Sequence, residues 1–244
     1  MIRDQLDRVG ARVPRVANSL VRWNPRATPP RVAHHGLQRS GTNVLRTALS
    51  DLGVTPLNAY DRPRNHPQHK HFRWQADAST IVMDPAFLND VVAGDLDAVD
   101  RLAGYPAGTR HVVVYKRATP WARSIINWGL RCGWWADLDA AVAALPGALG
   151  EYDAYNEFWQ RMERDRPGEC RLVEHPSVAT EAQVLLGALD DLGVPVDARR
   201  RERFTGVHRT VAQSPADRTD VVDGSAARAI DEAVASRTFL FDRA

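Results

Sequence analysis

The fold of this chain is decided by residues 31–53, which read RVAHHGLQRSGTNVLRTALSDLG. Val32 and Ala33 predict a short buried strand, and the glycines at 36 and 41 bracket a tight turn. Apolar side chains then follow one helical face, closed by a glycine suited to a left-handed cap: Val44, Leu45, Ala48, Leu49, Leu52 and Gly53. A strand, a glycine-bracketed loop and a helix N-terminus together predict an anion cradle, because free N–H groups and the positive end of the helix dipole point into the loop.

The two glycines of this loop have the G-x-x-x-x-G spacing of the nucleotide-binding P-loop. Thr42, however, stands where that motif has its phosphate-binding lysine, and Asn43 stands where it has the hydroxyl that holds magnesium. Arg39 and Ser40 supply the cationic and polar groups instead. The loop therefore predicts phosphate binding without the parts needed for metal-assisted hydrolysis of ATP or GTP.

The decapeptide GLQRSGTNVL resembles the 5′-phosphosulfate loop of the sulfotransferases, which use 3′-phosphoadenosine-5′-phosphosulfate (PAPS). That family has a basic residue, Ser-Gly-Thr and a polar helix-opening residue at the places held here by Arg39, Ser40, Gly41, Thr42 and Asn43. The resemblance implies an α/β three-layer sandwich with a central parallel sheet, similar to the P-loop NTPases. It also implies that these five residues, with the backbone N–H groups of residues 40–43, bind the co-substrate.

A second stretch, residues 111–130, reads HVVVYKRATPWARSIINWGL. The apolar, β-branched run at 112–115 predicts a strand buried on both faces of a parallel sheet. Lys116 and Arg117 end the run, and a helix is predicted from about Trp121. Because ligands of open α/β sheets bind at the carboxyl ends of the strands, this basic end is a candidate anion site.

The same stretch resembles the 3′-phosphate motif of bacterial sulfotransferases, in which a basic residue precedes a serine by eight positions. Lys116 and Ser124 have that spacing, and the neighbouring Arg117 is the open alternative to Lys116. The Asp-Pro or Asn-Pro that commonly follows the basic residue is absent here. Residues 205–209 stand where the family has a basic, glycine-containing loop, so Arg209 is a further candidate for binding the 3′-phosphate.

Of the 32 Lys and Arg residues only Lys70 and Lys116 are lysines, which marks these positions as places where a compact ammonium is needed. His69-Lys70-His71 resembles the lysine–histidine segment of sulfotransferases, whose histidine is the catalytic base. His71 is the favoured base and His69 the alternative, with Lys70 and Arg39 stabilising developing charge. The H-x-x-H-x-H spacing at residues 66–71 is not a usual zinc pattern, so no metal is predicted, and solvated loop histidines are the other interpretation.

Helical periodicity predicts an N-terminal amphipathic segment at 1–30. The length fits one further domain, which the resemblance implies is a sulfotransferase-like α/β domain at 31–244. A 44% hydrophobic and 25% charged composition is that of an ordinary globular protein, and a net charge of +2 is too small to predict a nucleic-acid partner. The basic stripe of the N-terminal segment could contact a membrane, but packing across the domain is favoured. With two cysteines and no apolar run of about 20 residues, the predicted location is cytoplasmic.

Periodicity predicts further helices at 95–102, 121–130, 138–144, 152–164 and 182–192, and strands at 80–83 and 171–173. A last helix at 226–235 is predicted as surface or edge structure, and the charge run at 199–203 as a solvated face. Trp128, Trp134 and Trp135 either pack in the core or wall an acceptor pocket.

Together these motifs predict sulfuryl transfer from PAPS to a hydroxyl or amine of a small-molecule or carbohydrate acceptor. The expected step is an in-line displacement with His71 as base. The alternatives are a P-loop kinase or NTPase, favoured by the glycine spacing, and a non-catalytic PAPS-binding protein. Neither the acceptor nor the oligomeric state is encoded in a recognisable pattern.

Overall fold

The computed structural model describes residues 30–60, 62, 66–72, 95–207, 222 and 224–235. Within them the chain forms β1 (Val32–His35), α1 (Thr42–Asp51), α2 (Leu96–Ala103), β2 (Arg110–Lys116), α3 (Ala118–Arg131), α4 (Leu138–Asp165), β3 (Cys170–His175), α5 (Ser177–Thr180), α6 (Ala182–Asp191), α7 (Ala198–Arg203) and α8 (Gly224–Ala235). The predicted N-terminal segment, the predicted strand at 80–83 and Arg209 lie outside the described residues.

The three strands form one parallel sheet in the order β1-β2-β3, with β2 in the centre. Their carboxyl ends therefore lie at one edge, where His35 is paired with Val113 and Lys116 is paired with His175. The predicted mixed α/β architecture with a parallel sheet is confirmed. None of the helices in the described ranges is both long and apolar enough to cross a membrane.

Helices cover both faces of the sheet. Successive side chains of β2 point to opposite faces, so its valines contact both helical layers. Val112 and Val114 pack with the apolar faces of α1 and α6, while Val113 packs with α3 and α4. These three valines are at most 1% exposed. The uninterrupted apolar run at this strand is thus the pattern of a parallel strand buried between two helical layers.

β1 is two residues longer than the predicted strand, because His34 and His35 continue it in the interior, both 0% exposed. The side chain of Asn58 satisfies the backbone of His34: its Oδ1 accepts from the backbone N–H at 3.0 Å, and its Nδ2 donates to the carbonyl at 2.8 Å. The same Oδ1 lies 2.8 Å from the ring Nδ1. Burial lowers the pKa of His34 to about 3, so its ring is neutral at neutral pH.

His35 belongs to a buried chain of polar side chains on the other face of the sheet. Its Nε2 lies 3.1 Å from Nδ1 of His111, whose Nε2 lies 3.1 Å from a carboxylate oxygen of Asp100. The His35 ring also stacks on Trp159 with 4.8 Å between centroids. Burial, followed by repulsion from His111, lowers the pKa of His35 well below its ordinary value. The strand accommodates these histidines because each has a specific partner.

The helices predicted separately at 138–144 and 152–164 are one helix, α4, with Pro146 in its interior. The predicted interruption between the two helices is therefore wrong. Leu145, Leu149 and Tyr152 on the two sides of the proline all pack in the core, each at most 1% exposed. Tertiary packing therefore outweighs the missing backbone hydrogen bond at the proline.

The C-terminal helix, α8, was predicted as surface or edge structure; it has an exposed face, and its other face packs on α3 and α4. Its Ile230 is 0% exposed, and Val234 is 5% exposed on the same helical face. Asp231 on the adjoining face accepts two hydrogen bonds from Arg123 of α3, at 2.6 and 2.7 Å. The helix is short and alanine-rich, so its apolar stripe was too narrow to predict this packing.

Candidate functional site

The two glycines of the loop between β1 and α1 are required for different physical reasons. A Cβ on Gly36 would lie 2.6 Å from the carbonyl oxygen of Val114, because the turn packs directly on the central strand. Gly41 has φ +101°, a conformation that L side chains rarely adopt. A Cβ there would also lie 2.5 Å from Cδ2 of His175. The loop can therefore follow its path only with glycine at both ends.

The N-terminus of α1 opens into this loop without a side-chain cap. Gly41 is the N-cap residue, and no side-chain hydrogen bond caps the helix. The first N–H groups of an α-helix have no intrahelical acceptor, so those of Thr42, Asn43 and Val44 point toward the space in front of the helix. Ser40 does not add to them, because its N–H donates to the carbonyl of Leu37 at 3.1 Å. Of the backbone donors expected at 40–43, the N–H of Ser40 is therefore already engaged within the turn.

Arg39 is held in one place by contacts from α3. Its Nε donates to Oγ of Ser124 at 3.2 Å, and its guanidinium carbon lies 4.8 Å from the ring centroid of Trp128. The backbone of Arg39 has φ +69°, which costs a non-glycine residue on the order of 1–2 kcal/mol. Such strain persists where the surrounding structure fixes it, as these two contacts do. The loop cation and the serine of the second motif, 85 residues apart, thus meet.

Lys116 ends β2 at the same edge of the sheet, and Tyr152 fixes its backbone by donating to its carbonyl at 2.7 Å. Burial, followed by repulsion from Arg39, lowers the pKa of Lys116 to about 8. The charges of Lys116 and Arg39 therefore repel each other in the free protein. That arrangement is unfavourable by itself and becomes favourable when an anion neutralises it.

Arg117, the alternative to Lys116, is directed elsewhere. Its Nε forms a 2.7 Å ion pair with Glu174 on β3. Tyr115 also donates to that carboxylate, at 3.4 Å. Arg117 is therefore paired with β3, while Arg39 acts electrostatically on Lys116.

The lysine–histidine segment crosses the start of the loop. The N–H of Gly36 donates to the carbonyl of Lys70 at 3.1 Å, and Nδ1 of His71 lies 2.9 Å from the carbonyl of Gly36. Because a carbonyl only accepts, Nδ1 carries the proton and Nε2 is the basic nitrogen of the neutral ring. The ammonium of Lys70 donates to Oδ1 of Asn43 at the start of α1. Lys70 is thus brought to the helix N-terminus, and His71 to the start of the loop.

His69 has a local structural contact in the same segment. Its Nδ1 accepts the backbone N–H of His71 at 3.1 Å, and the two rings lie 5.1 Å apart. The segment is anchored on both sides, by buried Phe72 and by Gln68, whose amide donates to the carbonyl of Ala103 at 3.0 Å. His71 is the histidine whose ring lies within hydrogen-bond distance of the loop carbonyl of Gly36. Among the described residues no group of three or more His, Cys, Asp or Glu side chains could hold a metal ion.

The tryptophans of α3 and the following turn serve both core and site. Trp121 is fully buried, and its Nε1 donates to the carbonyl of Gln38 at 2.9 Å, tying the loop to α3. Trp134 and Trp135 are half-buried beside the core, and Trp135 lies flush on Gly129, where a Cβ would be 2.0 Å from Cζ3. Trp128 stacks on Arg39. Aromatic surface therefore continues from the loop cation along α3.

Two features of the site had no sequence signal. His175, at the end of β3, packs on Gly41 and is paired with Lys116 in the sheet register. Asn43 orients the ammonium of Lys70 by a side-chain hydrogen bond. Both contacts join segments that are distant in the chain, so only the folded arrangement reveals them.

The sequence matches no known protein-family model, and no curated protein and no solved structure is significantly similar to the chain. The chemistry of the residues gathered at the loop therefore carries the functional assignment.

Proposed function

We propose that this protein is a PAPS-dependent sulfotransferase with a P-loop-like fold. The observation that carries the proposal is the convergence of three separate segments on the loop at 36–41 and the uncapped helix N-terminus that follows it. The loop contributes Arg39, α3 contributes Ser124, and the lysine–histidine segment contributes Lys70 and His71. Cations and backbone donors in this arrangement suit a ligand with phosphate groups at more than one position.

The donor set fits such a nucleotide. The N–H groups at the start of α1, with Arg39, would hold the 5′-phosphate, and Lys116 with Ser124 would hold the 3′-phosphate. Lys116 is well suited to this second role because burial and Arg39 lower its pKa to about 8. An anion bound beside Lys116 offsets the burial and repulsion that disfavour the charged ammonium. Such an anion therefore binds more favourably there than beside a lysine exposed to solvent. A 3′-phosphate contact would select PAPS over ATP.

The protein's catalytic contribution is positioning and charge stabilisation, as in phosphoryl transfer. PAPS supplies the sulfuryl group and leaves as 3′-phosphoadenosine-5′-phosphate. Lys70 and Arg39 stabilise the negative charge that develops on the bridging oxygen. His71 takes the proton of the attacking hydroxyl or amine on Nε2, because Nδ1–H is bonded to the carbonyl of Gly36.

The acceptor side of the site is aromatic. Trp128 lies under Arg39, and Trp134 meets Trp135 edge to face at 5.9 Å. Flat aromatic surfaces beside a polar centre suit a sugar ring or a partly apolar small molecule. A small-molecule or carbohydrate acceptor is therefore part of the proposal.

Titration calorimetry with 3′-phosphoadenosine-5′-phosphate (PAP) tests the proposal most directly. We expect micromolar or tighter binding that does not need magnesium, weaker binding of ATP, and at least a tenfold loss in Lys116→Ala, since one charged contact contributes about 1.5–3 kcal/mol. Arg117→Ala is the matched control, because it removes the adjacent cation that pairs with Glu174. It should leave PAP affinity within about twofold, as exposed ion pairs contribute little.

The outcomes separate the competing functions. Magnesium-dependent ATP binding that equals or exceeds PAP binding would overturn the proposal in favour of a kinase or NTPase, the function suggested by the glycine spacing. Tight PAP binding with no transfer of sulfate from radiolabelled PAPS across a panel of phenols, sugars and amines would instead identify a non-catalytic binding protein. Equal losses in the two variants would show that the 3′-phosphate is not bound at Lys116.

A further inference from the structure

His175 is the side chain beside the loop to which the proposed function gives no role. It is the last residue of β3, and its register partner is Lys116, so it lies at the carboxyl edge of the sheet. Its ring packs on Gly41, the N-cap of α1, with Cδ2 and Cγ the atoms nearest to where a Cβ would be. Nε2 is bonded to Cδ2. The ring therefore brings one of its nitrogens close to the turn that opens α1.

The ring of His175 is half-buried, yet no side chain in the described ranges forms a hydrogen bond with it. The other buried or half-buried histidines described around the loop are bonded: His34 to Asn58, His35 to His111, and His71 to Gly36. His175 lies this closely against a helix N-cap, and among these residues its ring forms a hydrogen bond only with its own backbone, so the ring keeps donor capacity for a ligand.

The charges that face His175 are positive. Lys116 is the nearest on β2, with Arg39 of the loop beyond it. The short helix α5, which follows β3, contributes no titratable side chain. Burial, then repulsion from Lys116, lowers the pKa of His175 to about 4, so the ring is neutral in the free protein at neutral pH.

The acidic groups that contact β3 are directed away from this end of the strand. Glu174 pairs with Arg117, while Glu163 of α4 and Asp191 of α6 pair with Arg171 near the strand's start. No described carboxylate is therefore in place to hold a proton on His175. An anion bound in the loop would therefore place a negative charge next to the His175 ring.

We propose that His175 is a further binding residue of the loop, donating a ring N–H to the anion held there and taking up a proton as the anion binds. The inference rests on the anion cradle of the proposed function and adds a residue and a proton to it. A bound anion offsets the charge of Lys116 and favours the imidazolium ion. Binding and protonation are then linked, so affinity rises as the pH falls from neutral toward 5.

Calorimetry in two buffers of different ionisation enthalpy, at pH 5.5, measures the protons exchanged per binding event. The probes are PAP and, independently, inorganic pyrophosphate. His175→Phe keeps an aromatic ring against Gly41 and removes both nitrogens. The comparison is wild type against variant at one pH, because the phosphates themselves titrate near pH 6 and cancel in the difference. Wild type should take up about half a proton more than the variant. It should also bind about five- to tenfold more tightly.

Two further variants make the result specific. His175→Gln retains an N–H donor and cannot take up a proton, so it should recover part of the affinity and none of the proton uptake. The His175→Gln variant also replaces His175→Phe in the comparison of proton uptake if His175→Phe does not fold. His66→Gln removes a histidine whose pKa is likewise lowered to about 4, by burial and then by Arg62, and should leave the proton count unchanged.

The proposed function and this inference fail in distinguishable ways. If PAP does not bind wild type while pyrophosphate binds with proton uptake that depends on His175, the sulfotransferase assignment is overturned and this inference stands. Equal proton counts in wild type and His175→Phe, with normal PAP binding, would overturn the inference alone. Binding of neither probe would overturn both.

Discussion

Substituting alanine for Gly36 tests the explanation given for the start of the phosphate loop. The added methyl group would lie 2.6 Å from the carbonyl oxygen of Val114, 2.8 Å from Cγ2 of Thr42 and 3.0 Å from Cγ1 of Val114. The first of these atoms belongs to the backbone of β2, which is paired on both sides by β1 and β3. The central strand cannot withdraw, so the loop must move.

The loss of folding stability in Gly36→Ala follows from the known effect of overpacking a core. One methyl group forced into a closely packed site destabilises a protein by about 1–3 kcal/mol. At about 2–4 °C per kcal/mol for a chain of this size, a penalty near 2 kcal/mol lowers the melting temperature by about 4–8 °C. The displaced loop should also bind PAP more weakly, because its donors are no longer in register with the phosphate.

Thermal unfolding followed by circular dichroism, together with PAP calorimetry, measures both effects. Gly187→Ala is the matched control: it lies inside α6 with nothing within 4 Å of the added methyl, and should stabilise the protein by about 0.5–1 kcal/mol. A Gly36→Ala protein with the melting temperature and PAP affinity of wild type would refute the argument that the central strand dictates glycine at this position.

Four other predictions concern the site and the interior. Ser124→Ala removes the acceptor that orients Arg39, and PAP affinity should fall about tenfold by calorimetry. With the pKa of Lys116 lowered to about 8, its charge is lost above that pH, so PAP affinity should fall by up to about tenfold per pH unit there. His71→Ala should abolish turnover of PAPS while changing PAP affinity by only about two- to threefold, since the ring acts on the acceptor. Burial lowers the pKa of His34 in the folded protein to about 3, below its value in the unfolded chain. Its contribution to the free energy of unfolding is therefore fully present above pH 6.5 and falls by about 2 kcal/mol at pH 5, which urea unfolding measures.

Controls exist in the chain for each of these. Ser50→Ala, on an exposed position of α1, should leave PAP affinity unchanged. Lys116→Arg keeps its charge at all relevant pH values and should abolish the alkaline decline. His69→Ala should retain turnover, and the opposite result would transfer the role of base to His69. His34→Gln should reduce the acid dependence by the contribution of His34 alone, since His35, His66 and His175 also have pKa values lowered by burial; an unchanged slope would show that other groups cause it.

The sheet and the loop could be predicted because their signals are local. A β-branched apolar run fixed β2, and two glycines with an apolar helical stripe fixed the loop and α1. Lys116 and Ser124 were assigned to one site through their resemblance to a sulfotransferase motif, and in the structure Ser124 lies beside the loop residue Arg39. Whether Lys116 or Arg117 faces the loop could not be read from spacing, since the answer depends on where Glu174 lies on β3.

Other features depend on contacts between distant segments. His34 and His35 look like poor strand residues until Asn58 and His111 are placed beside them. Pro146 looks like a helix break until the packing on both sides of it is known. His175 meets Gly41 only through the register of the sheet. In each case a local preference is outweighed by a partner many residues away.

The tether between Arg39, Ser124 and Trp128 has a consequence for the entropy of binding. A free arginine side chain loses on the order of 2 kcal/mol of rotamer entropy when it is fixed. Here that loss occurs when the chain folds, because the guanidinium is already held before any ligand arrives. A ligand then meets a cation that needs little further ordering, so more of each contact's energy appears as affinity. The folded protein therefore bears the entropy loss of fixing Arg39, and its own stability is lower by that amount.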